Sequence, residues 1–327
     1  MKALTAGVAI VTHNGLRYLP QQLGSIVSQS RSVSHIVVVD DRSSDGTRDY
    51  LDAWAAGAGI PVTIIRNAQR LGPARSAQMA LGAVEADIVF ATEQGDVWLP
   101  GKVETLAGLF EQDPDTVLVH TDALLVDADG RDTSRTLLEE LAPSQAERDA
   151  IGAGNAFEVY CRRNLVTGAT TAFRSSLLSL ACPFPSSIRH DAWLALLAAA
   201  TGRVRLLETP TILYRRHGAD AAVARQPRAL ARMRHLWTEL RGAHCLARSL
   251  EGVVSARAEV HRRLAGRPEV PPAYQALARE ALEFAERRRR LPRKLLERAG
   301  AVLKHAPCYG RFSAAPWTDG LRDIVRG

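Results

Sequence analysis

The chain has 327 residues, 46% of them hydrophobic and 24% charged, which is enough for one large core or for a core domain with an appendage. Its net charge of +7 is unevenly spread, with 20 Lys/Arg against 25 Asp/Glu over residues 1–224 and 22 against 10 over residues 225–327, so the two parts face different electrostatic partners. Four scattered cysteines without a CxxC pair exclude a zinc ribbon or a disulfide framework, and no uninterrupted apolar run is long enough to span a bilayer.

The opening MKALTAGVAIVTHN has neither a strong basic flank nor a cleavage site. Its apolar run over 7–12 therefore reads as a buried first strand rather than a signal peptide. Strands follow over 35–40, 61–66 and 87–92, and helical patterns lie between them over 19–28, 47–56 and 74–84. This alternation predicts a mostly parallel sheet covered on both faces. Ligands of such sheets sit beyond the carboxyl ends of the strands, which directs attention to residues 12–14, 40–43 and 93–96. Further on, strands are expected over 117–121 and 123–127, a turn at Asp129-Gly130, and a loop with a short helix over 131–160. A helix is expected over 189–200, then strands over 204–207 and 211–214. From about residue 225 the sequence is helical, Arg-rich and poor in strands, with four consecutive arginines at 287–290.

Three segments could carry chemistry. In VVVDDRSSDGT (37–47) a carboxylate at a strand end can accept the N–H of a pyrimidine ring, or the Asp and Ser can simply cap the next helix. With THNG (12–15) after the first strand, the nucleotide pocket is favoured; the absence of GxGxxG there counts against a dehydrogenase. EQGD (93–96) places acids beyond the fourth strand, where Asp96 either serves a ligand or orders the loop. In RHDAW (189–193) Asp191 opens a helix, as a cap or as a general base.

The run VAIVTHNGLRYLPQQLGSIVSQS, followed by HIVVVDDRSSDGT, resembles the opening of family 2 glycosyltransferases. EQGDVWLPGKVE, HTDALLVDADG, LVTGATTAF, RHDAWLALLAA and LYRRHG then follow in the order of the rhamnosyltransferase-like members, so the resemblance covers about residues 5–220. It implies an α/β GT-A fold, with a Rossmann-like, doubly wound, mostly parallel sheet over 1–224 and a basic helical appendage over 225–327. The implied reaction is inverting transfer of a sugar, a deoxyhexose by the motif order, from a nucleotide-diphospho-sugar to an unknown acceptor hydroxyl.

By the same resemblance Thr12, Asn14 and Asp41 hold the nucleoside, and Glu93 and Asp96 face the donor. Arg75 reaches the donor or is a solvated helix residue. Gly168, Thr170 and His190 line the acceptor side, and Asp191 is the general base. Asp96 and His217 are the implied ligands of a divalent cation, Mg²⁺ or Mn²⁺. Gly95 stands where a metal-binding carboxylate is expected and puts that cation in doubt. The alternative is a catalytically weakened relative that binds a nucleotide sugar or a partner protein. No nucleic-acid motif accompanies the arginines. The expected location is cytoplasmic, with the basic C-terminal part open to peripheral contact with the inner face of the membrane.

Overall fold

The computed structural model describes residues 3–216, 243–292 and 294–325. These fall into two compact units, one of residues 3–156 with 165–216 and one of residues 157–164 with 243–325. The boundary expected at 224/225 lies outside the described residues, and the second unit also takes in a stretch that the sequence assigns to the first.

The first unit opens as β1 (Ala6–Thr12), α1 (Leu19–Val27), β2 (His35–Asp40), α2 (Thr47–Gly57), β3 (Val62–Arg66), α3 (Pro73–Gly82) and β4 (Ile88–Thr92). β1, β2 and β4 are continuous apolar runs because helices cover both faces of the sheet at their positions. α1 and α3 each carry a proline at the second or first position, Pro20 and Pro73, where the missing N–H is not needed. The chain lays β2 and then β3 to one side of β1 and returns to set β4 on the other, all in parallel. The order thus reverses between β1 and β4, and their carboxyl ends form the crevice where open α/β sheets bind ligands.

The rest of the sheet is mixed, so the mostly parallel expectation describes its first half only. β5 (Val97–Trp98) and α4 (Lys102–Gln112) lead into β6 (Thr116–Val126) and β7 (Asp132–Thr136). Three helices follow: α5 (Leu137–Leu141), α6 (Gln145–Gly152) and α7 (Ala156–Arg162), the last of which belongs from Phe157 onward to the second unit. A 3₁₀ turn over Gly168–Thr170, β8 (Thr171–Arg174), α8 (Leu177–Ala181), α9 (His190–Thr201) and β9 (Arg203–Arg215) complete the unit. The sheet runs β3-β2-β1-β4-β8-β6-β9-β5, with β7 on β6. β8 is antiparallel to both β4 and β6, while β6 and β9 are parallel.

Each pair of strands expected over 117–127 and 204–214 is one strand. The polar residues that suggested breaks are satisfied inside the sheet: Thr121 Oγ1 meets Thr211 Oγ1 at 2.6 Å, and Asp122 accepts from Leu138 N at 2.8 Å. Pro210 is accommodated where the register shifts. α5 and α6 each begin with a capping box, from Thr136 with Glu139 and from Ser144 with Glu147, in a region expected to be mainly loop. α9 is apolar on every side and correspondingly buried from Trp193 to Ala200.

The second unit is helical, as expected, with helices Ala243–Leu264, Pro272–Arg289, Leu295–Lys304, Ala306–Phe312 and Pro316–Val325. Its aromatic contacts include Phe157 with Tyr274 (4.9 Å between ring centres) and Phe284 with Tyr309 (5.0 Å). Asp323, fully buried, accepts from Arg288 Nε at 2.6 Å and from the Tyr309 hydroxyl. Among the described residues, no helix is long and apolar enough to cross a membrane.

Candidate active site

The crevice between β1 and β4 is closed by side chains rather than by backbone pairing. Gln94 Oε1 accepts from Thr12 Oγ1 at 2.9 Å and from His13 N at 2.8 Å. Gln22, buried on α1, donates to Thr92 Oγ1 and Glu93 O and accepts from Gly95 N. Gly15 is held to glycine here, because a Cβ would lie 2.2 Å from Thr12 Oγ1. Asn14, exposed and in the left-handed region at φ 50°, accepts from Ser44 N at 2.9 Å and joins the β1 loop to the β2 loop.

At the end of β2 the two aspartates have separate duties. Asp40 accepts from Ser43 N and from Arg48 Nε and shapes its own turn. Asp41 accepts from Asn67 Nδ2 (2.8 Å), Leu71 N (2.8 Å) and Gly72 N (2.9 Å). Burial pushes its carboxyl up, but these bonds and one with Ser76 outweigh burial and hold it below the usual range. Asp41 therefore anchors the 67–72 loop, the loop that delivers the exposed Arg75 to the first turn of α3.

The acidic loop is built around glycine and an inward acid. Gly95 has φ 93°, a conformation that L side chains rarely adopt. Asp96 is buried, accepting from Glu93 N at 3.2 Å and Arg215 N at 3.3 Å. Burial, reinforced by the charge of Glu93, holds its carboxyl well above the ordinary value. The buried Arg215 guanidinium clamps the loop from the other side, donating to Gly95 O at 2.9 Å and Gln21 Oε1 at 2.8 Å. Beneath the loop lies Lys102, also buried, which donates to Ala169 O at 3.0 Å and sits 4.4 Å over the Trp98 ring. Burial lowers its ammonium to about 7, against the pull of Asp96.

Glu93 is the half-exposed acid of the loop, and two distant segments close on it. Its Oε2 accepts from the Tyr214 hydroxyl at 3.1 Å. A Cβ at the buried Gly168 would lie 3.5 Å from Glu93 Oε1 and 2.9 Å from His190 Nε2, so β4, the 3₁₀ turn and α9 meet at one point. Thr170 Oγ1 bonds to Thr167 O at 2.9 Å and orders that turn. Asp191, in the first turn of α9, is buried, while its partner Arg189 is largely exposed. Arg189 Nε and Nη2 bind the two carboxylate oxygens at 3.2 and 2.7 Å, and Ala192 N adds a bond at 2.7 Å. The bond to Asp191 and that residue's charge push the guanidinium pKa further up, with a smaller contribution from Glu93.

The described acids do not compose a cation site. Gly95 contributes no carboxylate and its carbonyl is taken by Arg215, and Asp96 faces inward beside Glu93; no group of three or more His, Cys, Asp or Glu is placed to hold a metal among the described residues. His217 lies outside the described residues. A cavity of about 490 Å³ lined by Asp113, Arg148, Arg203 and Arg205 lies at the opposite end of the sheet, where β6 and β9 begin.

Residues 7–160 match the model described as glycosyl transferase family 2. The matched stretch contains β2 to β7 and the residues expected on the donor side, Thr12, Asn14, Asp41, Arg75, Glu93 and Asp96. The chain is 26% identical over 220 residues to an uncharacterized glycosyltransferase of Nostoc, covering 65% of each protein. It is 24% identical over 177 residues to the abequosyltransferase RfbV of Salmonella typhimurium, covering 52% of this chain and 50% of that one. The chain thus spans between half and two thirds of these relatives. Among solved structures, S. aureus TarS 1–349 in complex with UDP-GlcNAc aligns with a TM-score of 0.58 at 14% identity, covering 98% of this chain and 89% of that one. The mannosyltransferase PcManGT of Pyrobaculum calidifontis, in complex with GDP-Man and Mn²⁺, aligns with a TM-score of 0.51 at 19% identity, covering 94% and 76%. These likenesses show a GT-A-like fold.

The sequence did not single out Gln22, Lys102, Arg189 or Arg215 for the site. One signal was available: Gln22 stands among Leu19, Leu23 and Ile26 on the buried stripe of α1, where a polar residue needs a partner.

Proposed function

We propose that the protein is a glycosyltransferase that moves a sugar from a nucleotide-diphospho-sugar to an acceptor hydroxyl with inversion at the anomeric carbon. The observation that carries this reading is the meeting of Glu93, Gly168 and His190 beside Asp191, at the end of the β1–β4 crevice. The family 2 match and the relatives' binding of UDP-GlcNAc and GDP-Man support a nucleotide-sugar donor. The motif order and the likeness to an abequosyltransferase support a deoxyhexose.

In this reading the nucleoside lies over Thr12 and Asn14, with Asp41 fixing the loop beneath it. Asp191 takes the proton of the acceptor hydroxyl as its oxygen attacks the anomeric carbon. The bond from that carbon to the diphosphate breaks, and the nucleoside diphosphate leaves with the electron pair. For Asp191 to act, Arg189 must give up one carboxylate oxygen. Its exposed guanidinium is free to turn toward the diphosphate, where with Arg75 it offsets the charge of the leaving group. No step is routed through a divalent cation, since the described donors do not fit one. Gly168 and His190 line the acceptor side, and the small residue keeps the floor open.

The occupation of both Asp191 oxygens also favours a second reading, a relative that binds nucleotide sugars without turnover. A mass-spectrometric screen of nucleoside diphosphate sugars, with NMR of the anomeric configuration of any product, separates the two. Transfer with inversion supports the first. Binding without transfer across the panel supports the second, and a retained configuration overturns the inverting mechanism.

A further inference from the structure

The second unit exposes a surface that sugar transfer does not account for. Among the described residues, five of the seven exposed large apolar side chains lie between 295 and 321: Leu295, Leu296, Leu303, Trp317 and Leu321. Leu296 and Trp317 are 86% and 88% accessible, so neither packs on its own helix neighbours. The helices that carry them, Leu295–Lys304 and Pro316–Val325, pack together, with Val302 Cγ1 3.5 Å from where a Cβ on Gly320 would stand. Seven residues separate Leu296 from Leu303 and four separate Trp317 from Leu321, so each pair shares a helix face. Other residues, Arg298, Val302 and Asp323, fill the inward positions.

Charge surrounds this surface with one sign. Residues 287–327 hold eleven Lys/Arg against three Asp/Glu, a net +8. All three acids are engaged within the unit: Asp323 by Arg288 and Tyr309, Asp319 by Ser313 and Arg322, and Glu297 by Lys294 at 3.3 Å. Lys294 and Lys304 flank the first helix at its two ends, and the Lys294 pair with Glu297 is an exposed one that leaves its ammonium open to solvent. The four-arginine run that drew attention in the sequence is largely spent internally: Arg287 pairs with Glu283 at 3.0 Å, Arg288 with Asp323 at 2.6 Å and Arg290 with Glu286 at 3.5 Å.

We infer that helices Leu295–Lys304 and Pro316–Val325 form an interfacial face that docks the protein peripherally on an anionic bilayer. Leucine side chains enter the acyl boundary, the tryptophan sits at headgroup level and the flanking lysines meet lipid phosphates. A second copy of the chain would bring +8 against +8.

The test is flotation of the full-length protein with equimolar phosphatidylglycerol–phosphatidylcholine vesicles and with pure phosphatidylcholine vesicles, at about 0.05 and 0.5 M salt. The protein is expected to float with the anionic vesicles, less so at high salt, and to ignore the neutral ones. The double variant Leu296→Glu/Leu303→Glu changes exposed side chains only, so its melting temperature should match the parent. Its partition onto anionic vesicles should fall at least about tenfold. Tryptophan emission should shift to the blue on vesicle binding in the parent and not in Trp317→Phe. The inference is overturned if the parent stays unbound at low salt or if the double variant floats like the parent. It is equally overturned if the parent sediments as a dimer that the double variant dissociates.

Discussion

Replacing Asp191 by Asn should remove turnover while leaving the fold and donor binding in place. The side chain is buried, and its oxygens accept from Arg189 at 3.2 and 2.7 Å and from Ala192 N at 2.7 Å. Asn keeps the volume and one acceptor for Ala192 and gives up the charge and the second acceptor. Because Arg189 is largely exposed, water takes over its guanidinium, and the ion pair is discounted to at most about 1 kcal/mol. The lost hydrogen bond adds about 1 kcal/mol. Together they lower the melting temperature by roughly 4–8 °C for a unit of this size. Loss of a general base is a larger effect, about 10²–10⁴ in rate or roughly 3–5 kcal/mol of barrier. The two are read separately: thermal melting and nucleoside diphosphate calorimetry report fold and donor, and product analysis reports transfer. Turnover within tenfold of the parent, in a variant that melts and binds as stated, would refute Asp191 as the base.

Asp41→Ala should destabilise the protein by about 2–4 kcal/mol and weaken nucleotide binding, since it strips Asn67, Leu71 and Gly72 of their buried acceptor; an unchanged melting temperature would contradict the anchoring role. Gly95→Asp should cost about 1–2 kcal/mol through backbone strain at φ 93°, while transfer by the parent should persist after exhaustive chelation. Complete loss on chelation with rescue by Mg²⁺ or Mn²⁺ would show that a cation is held after all, with His217 the first ligand to examine. Stability should rise with pH between about 7 and 9 because of Lys102. The folded ammonium titrates at about 7 and the unfolded one near 10.5, so in this window only the unfolded chain holds the proton, and raising the pH favours the fold. Asp96, raised by burial, acts with the opposite sign above its ordinary value, which makes the variant comparison necessary. Lys102→Met should flatten the slope of melting temperature against pH in that window, and an unchanged slope would assign it to other groups.

The parallel half of the fold was legible in the sequence almost to the residue. β1, β2, β3 and β4, and the helices between them, lie within a residue or two of where apolar runs and helical spacing put them. Those signals are local: a strand buried on both faces must be apolar throughout, and a covering helix must repeat its apolar positions. The strand ends that border the β1–β4 crevice were also legible, because they follow directly from where the strands stop. Strand continuity in the second half was not, since His120–Asp122 and Pro210 are polar or donor-poor residues that only distant partners make acceptable in a sheet. The same physics decided the site. That Asp41 holds a loop, that Asp96 turns inward under Arg215, and that Arg189 closes on Asp191 depend on which donors the fold brings within hydrogen-bond reach. Sequence spacing carries no record of those distances. The C-terminal charge asymmetry was plain from composition, but which arginines are consumed in ion pairs and which apolar side chains stay outside is settled by packing, because identical residues differ there only in what lies against them.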